Sequence, residues 1–185
     1  MRSKSHRLLG EYLVQHYLNN IPEPQIRAFI IGCTQPDLNP GTYLKGSLRF
    51  QWLRGHNYPN SRSAMEKFCH RLESKKNLSI IDYYTLGKLI HYTADAFTFA
   101  HNPCFPKDLR YHRQYEAQLQ THFLSFLKSW PPNERIFSSS IMESISCFHR
   151  EYSMNSPHIQ NDIIHCHMAC CSIFNILFSK CGDIE

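Results

Sequence analysis

Glycine is scarce, 7 of 185 residues, and runs in which β-branched residues alternate with polar ones are scarcer still. A chain short of both has little from which to build hairpins and sheets, so helical spacing dominates the reading. Long hydrophobic runs are missing as well. The longest nearly apolar stretch, Ala169 to Phe178, is about half of the roughly 20 residues a helix needs to cross a bilayer, and no transmembrane helix is expected. The basic start, Met1 to Arg7, imitates a signal peptide, but Leu8-Leu9 runs into Gly10, Glu11, Gln15 and His16. That leaves no apolar core of about 7–15 residues, and a cytoplasmic protein is expected. There is no block of Lys and Arg either, Lys75-Lys76 being the only basic doublet. A nucleic-acid partner is therefore not expected. The net charge of +5 still favours phosphate-bearing ligands or peripheral contact with anionic lipid.

With 42% hydrophobic and 19% charged residues, the chain is neither disordered nor membrane-like. Its eight cysteines show no regular spacing, and reduced, buried thiols are the expectation. The pattern predicts one all-α domain over residues 1–185, with about seven helices packed side by side. The first runs from Ser5 to about Asn19. The second starts at Pro22-Glu23-Pro24 and ends near Gly32. A long loop from Cys33 to about Asn60 follows, rich in proline and glycine. The third helix spans Ser61 to about Ser74. A fourth, capped by Ser79 or Asp82, runs to Phe99 or Ala100. The last three cover Lys107 or Asp108 to Ser129, Asn133 to about Ser153, and Pro157 to Lys180.

What is abundant is histidine, twelve in all, the commonest metal ligand and the side chain that titrates near neutral pH. Several are organised. His91 and Asp95 stand four apart on the fourth helix, and His112 and Glu116 four apart on the fifth. That spacing puts each pair on one face, a turn apart. His101 ends the fourth helix, His6 opens the first, and Asp37 and His56 fall in the long loop. Imidazole nitrogens and carboxylate oxygens are zinc ligands, and two such pairs on consecutive helices would converge on the groove between them.

The ordered set His6, Asp37, His56, His91-x-x-x-Asp95, His101 and His112-x-x-x-Glu116 resembles the zinc-dependent phospholipase C family, a helical bundle with metals in a cleft, shared more distantly with single-strand-specific nucleases. The resemblance covers about Ser5 to Leu119. It implies a bacterial protein that hydrolyses phosphoric esters. It also implies that His101, His112 and Glu116 hold one zinc and that His56, His91 and Asp95 hold a second with Asp37 at its edge. Asp95 would bridge to a third metal held by His6. Family members complete that third site with an N-terminal Trp, which is missing here. The Met1 amine, water or an empty site are the alternatives, so two zincs are expected and the third is left open.

In that reading Asp37 orients or deprotonates the attacking water, and the substrate is a phosphodiester, a phospholipid head group or a soluble analogue. Two other functions stay open: a nuclease- or phosphatase-like esterase acting on soluble substrates, and a non-catalytic protein that keeps its metals for stability. The His165-Cys166-His167 and Cys170-Cys171 run reads as core, since residues two apart on a helix point about 200° apart and cannot chelate one ion. Trp52 and Tyr58 are read as packing residues before groove-lining ones.

Overall fold

The computed structural model describes residues 1–39, 57–102, 105 and 109–179. Among them are seven α-helices and no strand: α1 (Ser3–Tyr17), α2 (Glu23–Leu38), α3 (Tyr58–Glu73), α4 (Ile80–Ala96), α5 (Leu109–Ser129), α6 (Ile141–Met154) and α7 (Ile159–Ser179). A short 3-10 turn, Phe99–His101, joins α4 to the segment before α5. The fold class is the expected all-α one. All seven helices contribute to the core, with Leu13, Phe29, Met65, Leu89, Phe123, Phe148 and Phe174 fully buried.

Helix ends follow local chemistry. Asn57 caps α3 by accepting from the Asn60 N–H at 3.1 Å, and Pro59 occupies the first turn, where a missing N–H costs nothing. At α4 both predicted caps act together, the Ser79 side chain accepting from the Asp82 backbone and the Asp82 carboxylate accepting from the Ser79 N–H at 2.9 Å.

The second helix departs from expectation. It does not stop at Gly32 but continues through Pro36 to Leu38, so Asp37 stands on a helix and not in a loop. Gly32 is there for a different reason. A Cβ on it would lie 2.2 Å from the Tyr84 carbonyl oxygen, and one on Gly87 would lie 2.1 Å from the Phe29 carbonyl oxygen. The two glycines let the backbones of α2 and α4 touch, a contact only hydrogen side chains permit. Pro36, late in the helix, forfeits one hydrogen bond without ending it.

Three smaller corrections follow. His101 lies in the 3-10 turn beyond α4, not on it, because the helix closes at Phe97 with its N–H on the Thr93 carbonyl. The sixth helix starts at Ile141, eight residues later than predicted, after a stretch opened by Pro131-Pro132. The seventh, at 21 residues, has length and composition enough to cross a membrane, although its longest apolar run is short. It packs against α4, α5 and α6 and is mostly buried, which is the position of a core helix.

Candidate metal centre

The α2–α4 crossing sets up the site. One residue beyond Gly32, the Cys33 carbonyl lies 2.9 Å from His91 Nδ1, four residues beyond Gly87. With Nδ1–H donating to that carbonyl, the Nε2 lone pair faces the site, the usual way of orienting a metal-binding histidine. A further turn along each helix come Asp37 and Asp95. His91 Nε2 lies 3.7 Å from Asp37 Oδ1 and 3.2 Å from Asp95 Oδ2. His6, on α1, stacks on the His91 ring with centroids 3.8 Å apart and brings Nε2 to 3.2 Å from Asp95 Oδ1. The ligand atoms of His6, Asp37, His91 and Asp95 all lie within 4.8 Å of one another.

A second group adjoins the first. His101, His112 and Glu116 also bring their ligand atoms within 4.8 Å of one another. Glu116 Oε1 lies 3.6 Å from His101 Nε2 and 3.4 Å from His112 Nε2. Asp95 touches both groups, because Oδ1 is also 3.6 Å from His101 Nε2. The Met1 ammonium lies between them, in contact with Asp95, 2.8 Å from His101 Nε2 and 3.6 Å from Glu116 Oε1. Of the eight sequence candidates the structure brings together seven; His56 lies outside the described residues.

These distances can be tested against a metal. Zinc bonds of about 2.0–2.2 Å in a tetrahedron set neighbouring donor atoms roughly 3.3–3.6 Å apart, and the close nitrogen–oxygen contacts within both groups, at 3.2–3.7 Å, straddle that range. His6 is fully buried, yet neither ring nitrogen makes a hydrogen bond. Burial, followed by the neighbouring His91, pushes its pKa down to about 4, so the ring is neutral with a lone pair available at neutral pH. Burial would raise the Asp95 carboxyl, but His101, the Met1 ammonium, His6 and His91 hold it well below the usual carboxylate range. Glu116 is held low in the same way, burial being outweighed by hydrogen bonds from His101 and His112. A neutral His6 ring beside the ionised Asp95 and Glu116 belongs to the donor set a divalent cation takes. The residues fit zinc.

With that donor set described, the family comparison becomes interpretable. The sequence pattern described as zinc dependent phospholipase C matches residues 5–170. The chain belongs to the zinc-dependent phospholipase C family. No curated protein and no solved structure matches it. The match opens one residue before His6 and closes at Cys170, so this phospholipase C-family region contains every ligand candidate, the core helix α7 included only up to that point.

The decoys resolve as packing. His167 Nε2 lies 3.0 Å from the Tyr12 hydroxyl and 3.6 Å from Cys171 Sγ, while His165 Nδ1 turns away to the Asn161 carbonyl at 3.0 Å. The cysteines among the described residues are free, and burial raises the Cys33, Cys69, Cys170 and Cys171 thiols, as inert core groups require. Tyr58 stacks on His149 at 3.8 Å, joining α3 to α6, and Trp52 lies outside the described residues.

Sequence reasoning missed two groups that touch the ligands and one buried acid that bonds to their neighbours. Ser3 Oγ donates to Asp37 Oδ2 at 2.7 Å. The Cys33 carbonyl fixes His91. Asp162, on α7, is a buried acid. Only Asp162 left a signal, the sole acidic residue of α7, beside Ile163-Ile164.

Proposed function

We propose that this protein is a zinc-dependent phosphoric ester hydrolase that cleaves a phosphodiester with water, giving a phosphomonoester and an alcohol. The observation that carries the reading is the pair of adjoining donor groups joined by one shared, ionised and fully buried carboxylate, Asp95. His6, Asp37, His91 and Asp95 would hold one zinc, and His101, His112 and Glu116 the other, with His56 as a further ligand from the long loop. When bound, the metals supply Lewis-acid polarisation of a phosphoryl oxygen and make water acidic enough to act near neutral pH.

Within that frame Asp37 has the features of the residue that handles the attacking water. Its side chain is the most accessible of the first group, 11% exposed against 0% for Asp95 and His91. Ser3 donates to Oδ2, and Oδ1 faces His91 Nε2 across the site. From there it would orient the water and take its proton as the P–O bond to the leaving alcohol breaks. Asp95, fully buried and facing both donor groups, is placed to join them and not to meet water from solvent. The substrate is a phosphodiester, either a phospholipid head group or a soluble analogue.

The test is turnover of p-nitrophenylphosphorylcholine, bis-p-nitrophenyl phosphate and p-nitrophenyl phosphate with and without chelator. Chelator-sensitive turnover is expected on at least one diester. No such turnover on any of the three, from protein holding zinc, would replace this reading with a metal-stabilised non-catalytic protein. Asp37→Asn is expected to lower turnover by about 10²-fold or more, the scale of a general base, with zinc content near that of the parent. If zinc is lost along with activity, Asp37 is a ligand only.

A further inference from the structure

Asp162 lies on α7, which carries no candidate ligand, and is 1% exposed. An acid in the first turn of α7 suits the helix dipole, but that would be met by an exposed side chain and does not call for a buried one. Its carboxylate accepts three hydrogen bonds, each from a different segment. The Phe99 N–H donates to Oδ2 at 2.7 Å, the Tyr115 hydroxyl to Oδ2 at 2.5 Å, and the Tyr152 hydroxyl to Oδ1 at 2.8 Å. Phe99 opens the 3-10 turn that ends at His101. Tyr115 is the residue before Glu116 and lies three after His112 on α5. Asp162 thus grips the two segments that carry the second donor group, one by backbone and the other by side chain, through a single oxygen. The Phe99 and Tyr115 rings also meet edge-to-face, centroids 5.7 Å apart.

We propose that Asp162 is a positioning residue for the second metal: a buried carboxylate on α7 that locks the His101 turn against α5 and so sets the spacing of His101, His112 and Glu116. This rests on the metal-centre reading above and deepens it. A burial that served packing alone would be met as well by an apolar side chain, because a buried ionisable group costs desolvation that hydrogen bonds only offset. The fourth contact in the network points the same way. Asn102, next to His101, donates to the Tyr152 hydroxyl at 3.3 Å and to the Thr98 carbonyl at 2.9 Å, so the turn is held at both ends.

The test reads metal affinity, not activity. Zinc or cobalt is titrated into the metal-free parent, Asp162→Asn and Tyr115→Phe, in competition with a chromophoric chelator and well below the melting temperature of each. The parent is expected to take up two metals. Asp162→Asn is expected to bind the second metal at least 10-fold more weakly, the scale on which outer partners tune metal sites, with first-site affinity and its cobalt spectrum unchanged. Tyr115→Phe keeps the ring and removes one donor; it is expected to shift the same site by a smaller factor and covers the case in which Asp162→Asn does not fold. Ile145→Val, a core change on α6, controls for lower stability and is expected to leave both affinities alone. Melting temperatures that fall while both affinities stay at parent values would overturn the proposal, as would equal weakening of both sites. A parent that binds two metals and hydrolyses nothing would sink the proposed activity and leave this inference standing.

Discussion

The group of His6, Asp37, His91 and Asp95 is held by contacts on the ligands themselves, whereas that of His101, His112 and Glu116, beside its contacts with the Met1 ammonium, is also tied to the fold through its neighbours. In the first, α1, α2 and α4 converge, His91 is fixed by the Cys33 carbonyl, Asp37 by Ser3, and His6 by stacking. The His6, His91 and Asp95 side chains are fully buried. In the second, the side chains are 14–31% exposed and the anchoring falls on Phe99 and Tyr115. A buried group inherits its geometry from helix packing. A group at a turn and a helix end needs a separate tie, because backbone there has fewer intrahelical hydrogen bonds to hold it. The first is thus built as the more rigid half of the centre and the second as the more adjustable one.

The change with the largest expected effect removes what the halves share. Asp95→Ala takes away the carboxylate that faces His6, His91, His101 and the Met1 ammonium. Breaking a buried charge cluster by deleting one partner costs about 3–5 kcal/mol. Zinc is expected to fall at both sites and chelator-sensitive turnover to vanish, read by metal analysis and thermal melting. One zinc retained at parent affinity would show that the halves are independent and that Asp95 serves only one of them.

The next change breaks the first half alone. Gly32→Ala puts a methyl where the Tyr84 carbonyl oxygen lies 2.2 Å away, and α2 must move off α4. Overpacking of this kind costs about 1–3 kcal/mol, more where backbone must shift. The movement separates Cys33 and Asp37 from His91, so zinc should leave the first site and stay at the second. Loss from the second site first would reverse the assignment of which half depends on the helix crossing.

How much of this was legible in the sequence follows from the same physics. The pairs His91–Asp95 and His112–Glu116 were readable because helix periodicity converts a spacing of four into a shared face, and the structure brings both pairs together. The extent of α2 was not. Gly32 and Pro36 look like a helix end when read locally, and only the partner helix shows why a glycine belongs there. Asp162 was illegible as part of the site because its partners are 63 and 47 residues away and meet it only through tertiary packing. Ser3 was hidden for the same reason, its contact with Asp37 spanning 34 residues.

Acid should weaken the metal-free protein, since burial lowers the pKa of both His6 in the first half and His101 in the second. The His6 pKa of about 4 lies below its ordinary 6.5, so between those values the unfolded chain binds the extra proton and the folded one does not. Stability of the metal-free protein from this group therefore falls as pH drops through that window, by up to about 1.4 kcal/mol per pH unit. Asp162 acts in the opposite sense, since burial raises its carboxyl to about 6 despite its three donors. Urea unfolding at pH 7 and pH 5 should show the loss in the parent and a shallower dependence in His6→Gln. Equal slopes would mean that His6 already exchanges protons freely with solvent and that the first site is less enclosed than its burial indicates.

The smallest change probes how finely the first half is set. Ser3→Ala removes one 2.7 Å hydrogen bond to Asp37 Oδ2 and leaves the helix intact. A hydrogen bond to a charged group contributes about 1.5–3 kcal/mol at most, and less where one partner stays partly hydrated, as Asp37 does. The melting temperature should therefore move by a few degrees or less and zinc content should hold. Turnover is expected to fall several-fold, because an unanchored carboxylate spends time in rotamers that do not face the water it must orient. A change in KM with turnover intact would place Ser3 at the substrate and not behind the base, and would make the first half the one that adapts.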